Sequence, residues 1–179
     1  LEANSTSIEI TIKYLPKSPT QKHRRIEKFV FVDNGDGMEN DTLYDCLVLG
    51  EGTKRDLKNG IGKFGVGATL AGISQAKSIE IYSKTKTGKW FYTKLDLDLL
   101  SQRIGIPEPK ENQPPAEYTE NLDNQGTIVI WDNVDSGETE KDMENATHQI
   151  GRIYRKFISM KKIEEGKIID NVTPVSITL

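Results

Sequence analysis

The chain has 179 residues, and 24 Lys and Arg against 27 Asp and Glu give a formal net charge of −3 at pH 7. This near-balance excludes a surface devoted to nucleic acid, which would need a clustered excess of Lys and Arg, and no apolar run approaches the roughly 18 residues of a membrane span. The opening LEANSTSIEI is not a signal peptide, and the single Cys46 has no partner for an internal disulfide. We therefore expect one domain, or one domain and a fragment, in a reducing compartment: the cytoplasm or, in a eukaryote, the nucleus.

Alternating and β-branched residues predict the strands. Ser7–Tyr14 alternates polar residues with three isoleucines on one face, which is the pattern of a half-buried strand. Residues 16–25 are polar and basic and predict the turn of a hairpin, whose second strand is residues 28–33. Further strands are predicted at 77–83, 89–97 and 126–131, and one or two closing strands at 167–179.

Helical spacing of apolar residues predicts three helices, at 39–49, 66–73 and 138–158. Acidic residues crowd the start of the last helix and basic residues its end, as the helix dipole favours. Residues 107–124 hold four of the seven prolines and predict an exposed connection. Hairpins interrupted by helices predict an α+β fold, a two-layer sandwich with helices on one face of a mostly antiparallel mixed sheet.

The first glycine-rich segment is Asp33-Asn34-Gly35-Asp36-Gly37-Met38, directly after a predicted strand. A carboxylate at a strand end can accept a hydrogen bond from a base or sugar, while the glycines let the backbone approach closely. A plain turn explains the same residues, because Asn-Gly and Asp-Gly are strong turn dipeptides. A calcium loop of the EF-hand type does not fit, since Tyr44 stands where that loop requires Glu.

The second segment is Gly60-Ile61-Gly62-Lys63-Phe64-Gly65-Val66-Gly67-Ala68, which opens a predicted helix and offers backbone N–H groups to phosphates. It is not a P-loop, because Phe64 replaces the required Ser or Thr and Leu57 the first glycine. Its G-x-G-x-x-G spacing lacks the preceding strand of a dinucleotide-binding fold. A flexible linker is the alternative. Six glycines in residues 50–67 predict a long loop that is functional or mobile.

Together the two segments resemble the GHKL ATPases, a superfamily that includes gyrase B-type topoisomerases, Hsp90, MutL, MORC proteins and sensor histidine kinases. The shared layout is a strand ending in D-x-G-x-G-M, a helix, a long loop, and G-x-x-G-x-G opening a second helix. Gly126-Thr127 is similar to the family's fourth motif, and the resemblance extends to about Trp131. It implies the Bergerat ATP-binding fold, and IGKFGVGA is most similar to the Hsp90, MutL and MORC branch.

The resemblance implies an adenine site around Asp33. Its carboxylate would accept the exocyclic amine of adenine, a strong bond that sets the orientation of the base. Gly35 and Gly37 would let the base lie against the backbone. Met38 would cover one face of the ring, although core filling explains it equally. Thr127 would supply a hydroxyl that shares a water with the base; the alternative is an ordinary β-branched strand residue.

The resemblance also implies a phosphate site and a lid. Residues 50–64 would form the lid, which closes over ATP with its Mg²⁺ and opens after hydrolysis. Lys63 would add a positive charge beside Phe64. The backbone N–H groups that would hold the phosphates belong to Gly62, Gly65, Val66, Gly67 and Ala68.

The family's first motif, E-x-x-x-N-x-x-D-A, carries the Glu that activates water and the Asn that coordinates Mg²⁺. Residues 2–10 resemble the continuation of this motif, with Glu2 at its final acidic position. The catalytic Glu and the Asn are therefore expected just upstream of Leu1, and no catalytic residue is assigned within the chain. A fragment of a longer ATPase and a degenerate non-hydrolysing binder both explain this. In either case we expect the 179 residues alone to bind ATP weakly and to hydrolyse none.

The expected organisation is an ATP-binding domain at 1–135 that lacks its first helix, followed at 136–179 by the long helix and closing strands leading toward another domain. ATP would close the lid and drive homodimerisation or a conformational change, with DNA or a protein as client and no membrane partner. A nucleotide-gated interaction module without hydrolysis is the alternative. A histidine kinase fits less well, because it needs a phosphoacceptor His on a helix ahead of this domain. Basic residues within 17–25 would suit DNA, but a solvated hairpin tip explains them too.

Overall fold

The structure, a computed structural model, describes residues 3–48, 67–120, 122, 124–135, 137–158, 161–164, 167–170 and 176–178. Within them a 3-10 turn lies at Ala116–Tyr118. The helices and strands in chain order are β1 Ser7–Tyr14, β2 Ile26–Asp33, α1 Asn40–Asp45, α2 Gly67–Ile73, β3 Ala76–Lys84, β4 Phe91–Asp96, α3 Leu97–Ser101, β5 Lys110–Glu111, β6 Gly126–Val134, α4 Glu140–Ile158, β7 Lys161–Glu164, β8 Lys167–Asp170 and β9 Ser176–Thr178.

Seven of these strands form one sheet in the order β5-β4-β3-β6-β2-β1-β9. Every neighbouring pair in it is antiparallel except β1 and β9, which run parallel. β7 and β8 form a separate antiparallel hairpin. The predicted α+β fold with a mostly antiparallel mixed sheet is confirmed.

Two elements between residues 89 and 124 differ from the prediction. The strand expected at 89–97 ends at Asp96, because the Asp96 carboxylate accepts hydrogen bonds from the backbone N–H groups of Asp98 and Leu99 at 3.0 and 3.3 Å and so caps α3. The connection expected to be exposed contains β5, which pairs with β4. Within this connection Pro114 is buried and Tyr118 is half-buried, so it is only partly exposed.

The helices lie on one face of the sheet and cover an apolar cluster. Leu43 in α1 and Leu47 just after it are buried against three strand residues, Ile79, Ile81 and Leu95. α2 lies close to β3 at Gly72, where a Cβ would overlap the side chain of Ile79.

The opposite face of the sheet carries a second cluster. Tyr118 of the 3-10 turn and Leu122 pack against it, so the proline-rich connection covers part of this face. The buried members of this cluster are Val30, Val32, Tyr82, Trp90, Ile128 and Ile130.

The chain after β6 returns to the first hairpin. The Glu140 N–H donates to the Arg24 carbonyl at 3.1 Å, and the Glu140 carboxylate pairs with the Arg24 guanidinium at 2.7 Å. That guanidinium lies 4.7 Å from the centre of the Tyr14 ring. Farther on, Ser176 of β9 donates its N–H to the Thr6 carbonyl at 2.9 Å. The division of the chain at residue 135 stays a prediction, and the main sheet includes β9 from beyond it.

Gly72→Ala is expected to lower the free energy of unfolding by about 1–3 kcal/mol, because the added methyl would overlap Ile79 and lie 3.0 Å from Nε1 of Trp131. Gly151→Ala in α4 is the matched control. No atom lies within 4 Å of its added carbon, so the higher helix propensity of Ala should raise stability by about 0.5–1 kcal/mol. Urea unfolding followed by circular dichroism measures both, and equal effects would contradict the close packing of α2 on β3.

Candidate functional site

Three polar side chains lie side by side on adjacent strands at one end of the sheet. Asp33, the last residue of β2, is opposite Thr127 on β6, and Thr127 is opposite Ser83 on β3. Directly opposed residues share a face of the sheet. Ser83 is in phase with Ile79 and Ile81, so this face is the one that the helices cover. We call these three residues the polar row.

The surroundings of the Asp33 carboxylate oppose its ionisation. Burial raises the pKa of this carboxyl above its usual range, and the Gly35 N–H, which donates to Oδ1 at 2.9 Å, acts in the opposite direction and lowers it. Among the described residues no other hydrogen bond reaches this carboxylate. Oδ2 is therefore available to a donor from outside this part of the chain.

Ser83 is completely buried and its hydroxyl joins three segments of the chain. Its Oγ accepts the Met38 N–H at 2.9 Å, lies 3.0 Å from Oγ1 of Thr127, and lies 3.2 Å from the carbonyl oxygen of Gly126. The loop after β2, the end of β3 and the start of β6 are thus held together at one side chain.

Sequence reasoning missed Ser83, although the strand carried a signal for it. In the run from 76 to 84, Ser83 shares its phase with the apolar Ile79 and Ile81, not with Glu80. A serine on the apolar face at the end of a strand indicates a buried hydroxyl that needs partners.

Glycines fix the shape of the loop after Asp33. Gly37 has a φ of +72°, which favours glycine, and a Cβ there would overlap the carbonyl oxygen of Lys84. A Cβ on Gly35 would lie 2.6 Å from the carbonyl oxygen of Ala3. The glycines therefore have a packing cause within the protein, and their predicted contact with a base stays a prediction.

Gly126 sets the start of β6 against the end of β2. Its φ is +145°, and a Cβ there would overlap the carbonyl oxygen of Asp33. Only a glycine lets the two strands approach at this point, directly beside Thr127.

Met38 links the loop to the helix-covered face. Its N–H donates to Ser83, as described, and its side chain packs against the cluster that contains Leu43 and Ile81. Core filling is therefore part of its role, and covering a base ring stays a prediction.

The segment before β1 is tied to the same loop through Asn34, whose role was not predicted. Oδ1 of Asn34 accepts the N–H groups of Thr6 and Ser7 at 3.0 and 2.9 Å. Asp36 donates its N–H to the Ala3 carbonyl at 2.8 Å. The residues preceding β1 thus lie beside the loop that follows Asp33.

The second glycine-rich segment is only partly within the described residues. Gly62, Lys63, Phe64, Gly65 and Val66, and the predicted lid at 50–64, lie outside them. Gly67 and Ala68 form the start of α2, and next to them Thr69 is buried and donates its hydroxyl to the Cys46 carbonyl at 3.0 Å. Burial raises the pKa of the Cys46 thiol to about 12, so the thiol stays protonated at neutral pH.

The described residues contain no cluster of metal-ligating side chains. Among them, no group of three or more His, Cys, Asp or Glu side chains could hold a metal ion. In the same part of the chain, none of the helices combines the length and apolar character that crossing a membrane requires.

The fold and the polar row define a class of protein: a two-layer α+β domain with a carboxylate at a strand end and a glycine loop behind it. A family profile described as histidine kinase-, DNA gyrase B-, and HSP90-like ATPase matches residues 1–128, more than half of the chain. The chain belongs to this family and is an ATP-binding domain of the GHKL type. A comparison with curated proteins found no match.

Asp33→Asn is expected to leave the nucleotide-free protein at least as stable as the wild type at pH 7. Because burial raises the pKa of Asp33, the folded state disfavours the ionised carboxylate; this cost is absent below the usual carboxyl pKa and grows as pH rises to the raised value. Asn carries no charge and keeps an oxygen for the Gly35 N–H. Thermal unfolding across pH 3 to 8 measures the difference, which should vanish at low pH.

Asp96→Asn is the control of opposite sign. Desolvation raises the pKa of the Asp96 carboxyl, but hydrogen bonds from Lys94 and from the Leu99 N–H outweigh it and lower that pKa. Removal of the Asp96 charge should destabilise the protein at pH 7, and the loss of stability should become smaller as the pH falls. A large loss of stability in Asp33→Asn at pH 7 would contradict the effect of burial on Asp33.

Proposed function

We propose that this domain binds ATP with its adenine at the polar row, and that binding closes a lid at residues 50–64 and drives dimerisation or a conformational change. The observation that supports the adenine site best is the alignment of Asp33, Thr127 and Ser83 beside the glycine loop. Polar groups gathered at the end of an otherwise apolar face mark a site for a ligand with both apolar and polar parts. The similarity of IGKFGVGA to the Hsp90, MutL and MORC branch supports a lid of that kind.

Asp33 carries the recognition of the base. Its Oδ1 is held by the Gly35 N–H at 2.9 Å, which fixes the orientation of the carboxylate and leaves Oδ2 for the exocyclic amine of adenine. Since this carboxylate is half-buried, a hydrogen bond to it is stronger than one in water. An amine that donates to Oδ2 would also relieve the cost of the buried charge.

The phosphates belong at the second glycine-rich segment, where we propose that backbone N–H groups from Gly62 to Ala68 receive them and that Lys63 adds charge. A row of N–H groups at the start of a helix suits an anion. Mg²⁺ would accompany the phosphates and polarise the bond to the terminal phosphoryl group. α2 itself is held in place by Thr69 and Gly72.

Hydrolysis would use residues on the N-terminal side of Ala3. Ala3 and Asn4 contact the loop after Asp33, with Asn4 donating to the Asp36 carboxylate at 2.7 Å. A Glu and an Asn in the family's first motif would therefore reach the nucleotide from this side. A nucleotide-gated interaction module that binds ATP and does not hydrolyse it is the second candidate.

A client on the basic hairpin tip has less support. Arg24 is engaged by Glu140 and by the ring of Tyr14, and His23 lies 3.9 Å from the same carboxylate. These contacts favour a role for the hairpin tip in holding the start of α4 in place. Binding of DNA or a protein client would need a separate test.

Asp33→Asn is expected to weaken ADP binding about 10- to 100-fold, since an amide presents a neutral acceptor, or a donor, to the adenine amine. Isothermal titration calorimetry on the protein measures it. Lys13→Ala, far from the row and paired with Glu117 on the surface, is the control and should leave affinity unchanged. Unaltered affinity in Asp33→Asn would count against the proposed site.

ATP turnover separates the two candidates. If the protein is an ATPase, we expect it to release phosphate. We also expect dimers that form with a non-hydrolysable ATP analogue and dissociate with ADP, as measured by analytical ultracentrifugation. If the protein binds ATP without releasing phosphate, the result supports the nucleotide-gated interaction module.

A further inference from the structure

The short helix α3 and the residues just after it carry a patch of exposed apolar side chains. Leu99 and Leu100 are 41% and 38% exposed, and Ile104 is 50% exposed. They are three of the seven large apolar side chains that the described residues expose. Single exposed apolar residues are normal on a protein surface, whereas a group of them indicates an interaction site.

The way α3 ends holds this patch together. The Ile104 N–H donates to the Leu99 carbonyl at 3.0 Å, and the Arg103 N–H donates to the Leu100 carbonyl at 2.9 Å. These two bonds form a Schellman ending, which brings the side chains at positions 99 and 104 close together. Arg103 takes the left-handed position of the motif with a φ of 63°, where glycine is usual.

An open cavity of about 210 Å³ lies beside the patch. Leu99 and Leu100 form part of its wall. Pro107, another wall residue, is held by the hydroxyl of Thr93, which donates to its carbonyl at 2.9 Å. A cavity of about 150 Å³ can hold a benzene molecule, so this one has room for an aliphatic side chain.

The charges around the patch are balanced. Two charges of each sign line the cavity: Lys94, Lys110, Asp96 and Glu108. Asp98 at the start of α3 and Arg103 beyond its end add one more of each sign, and in the described part of the chain neither side chain has a hydrogen-bond or ion-pair partner. A neutral patch with opposite charges at its two ends complements a second copy of itself, because antiparallel approach pairs each charge with its opposite.

The patch lies away from the polar row. Phe91, the first residue of β4, is opposite Ser83, whereas Asp96, the last residue, is opposite Ser78 and leads into α3. The two ends of β4 are separated by about 17 Å of strand. A partner on the patch therefore leaves the polar row open.

We propose that this patch is a two-fold interface between two copies of the protein, formed without nucleotide. The two α3 helices run antiparallel, Asp98 of each copy faces Arg103 of the other, and Ile104 enters the cavity of the other copy. Three exposed side chains cover far less than the roughly 800 Å² per partner of a stable interface, so the contact is weak and reversible. It is separate from the ATP-driven dimer proposed above.

Sedimentation equilibrium in the absence of nucleotide tests the interface through its charges. Asp98→Arg and Arg103→Asp should each weaken self-association about tenfold, since each charge pair occurs twice in a two-fold dimer and becomes repulsive. An equimolar mixture of the two variants should associate about as strongly as the wild type, because both pairs between unlike variants are again of opposite sign. Both positions are exposed and Asp tolerates the left-handed conformation at 103; circular dichroism checks the folding.

Two further variants test the apolar part and the specificity of the charge effect. Ile104→Ala keeps every charge and should weaken self-association about tenfold, because the cavity of each copy is then left unfilled. Lys86→Asp is the matched control, an equal change of charge in the exposed turn between β3 and β4. It should leave self-association unchanged.

A wild type that stays monomeric at about 1 mM protein would overturn the inference, since even a weak specific contact associates at that concentration. Self-association that either charge variant leaves unchanged would also overturn it, and the contact would then run through another surface, such as the exposed Ile153 of α4. If both variants weaken association and their mixture does not restore it, the contact joins unlike surfaces and the two-fold interface is wrong.

Discussion

The position of β6 between β2 and β3 is the constraint on which the candidate site depends. β6 pairs with both strands along most of its length, and this register places Thr127 opposite both Asp33 and Ser83. A slip of one residue would turn all its side chains to the other face and remove Thr127 from the row. Gly126 holds the register at the critical end, since its missing side chain admits the carbonyl of Asp33.

The same register places the polar row of the candidate site at the border of an apolar cluster, where a charged group costs stability. The face that ends in the polar row is apolar a few residues farther in, where Ile79 and Ile81 are buried under the helices. Hydrogen bonds at such a border are stronger than in water, and an unpaired charge there is costly. The domain therefore keeps Asp33 in a place where ionisation of its carboxyl is disfavoured. Proteins commonly accept such local costs at functional sites.

The sequence predicted the elements whose patterns are local. β1 alternates because one of its faces is apolar, and the predicted span is the observed one. α3 was not predicted, because the run from Leu97 to Leu100 has no helical period of its own and becomes a helix through the cap at Asp96. Neither helix propensity nor the spacing of apolar residues reveals a single capping contact of this kind.

The sequence predicted those residues of the candidate site that belong to recognisable motifs, and it did not predict the others. Asp33 and Thr127 were singled out by the family resemblance, but Ser83 and Asn34 gain their roles from contacts with residues 27 to 45 positions away in sequence. Such roles follow from the order and register of the strands, which the alternation of side chains does not specify.

β9 gives the sheet an edge whose protection is incomplete. It pairs with Ser7, Ile8 and Glu9 only, so in the described residues the outer backbone of β1 from Ile10 to Tyr14 has no neighbouring strand. Open strand edges pair readily with other chains, and a charged side chain such as Lys13 works against this. A piece of the protein that stopped after β6 would expose the whole of that edge. How much chain is kept beyond β6 therefore sets how strongly the domain tends to associate through β1.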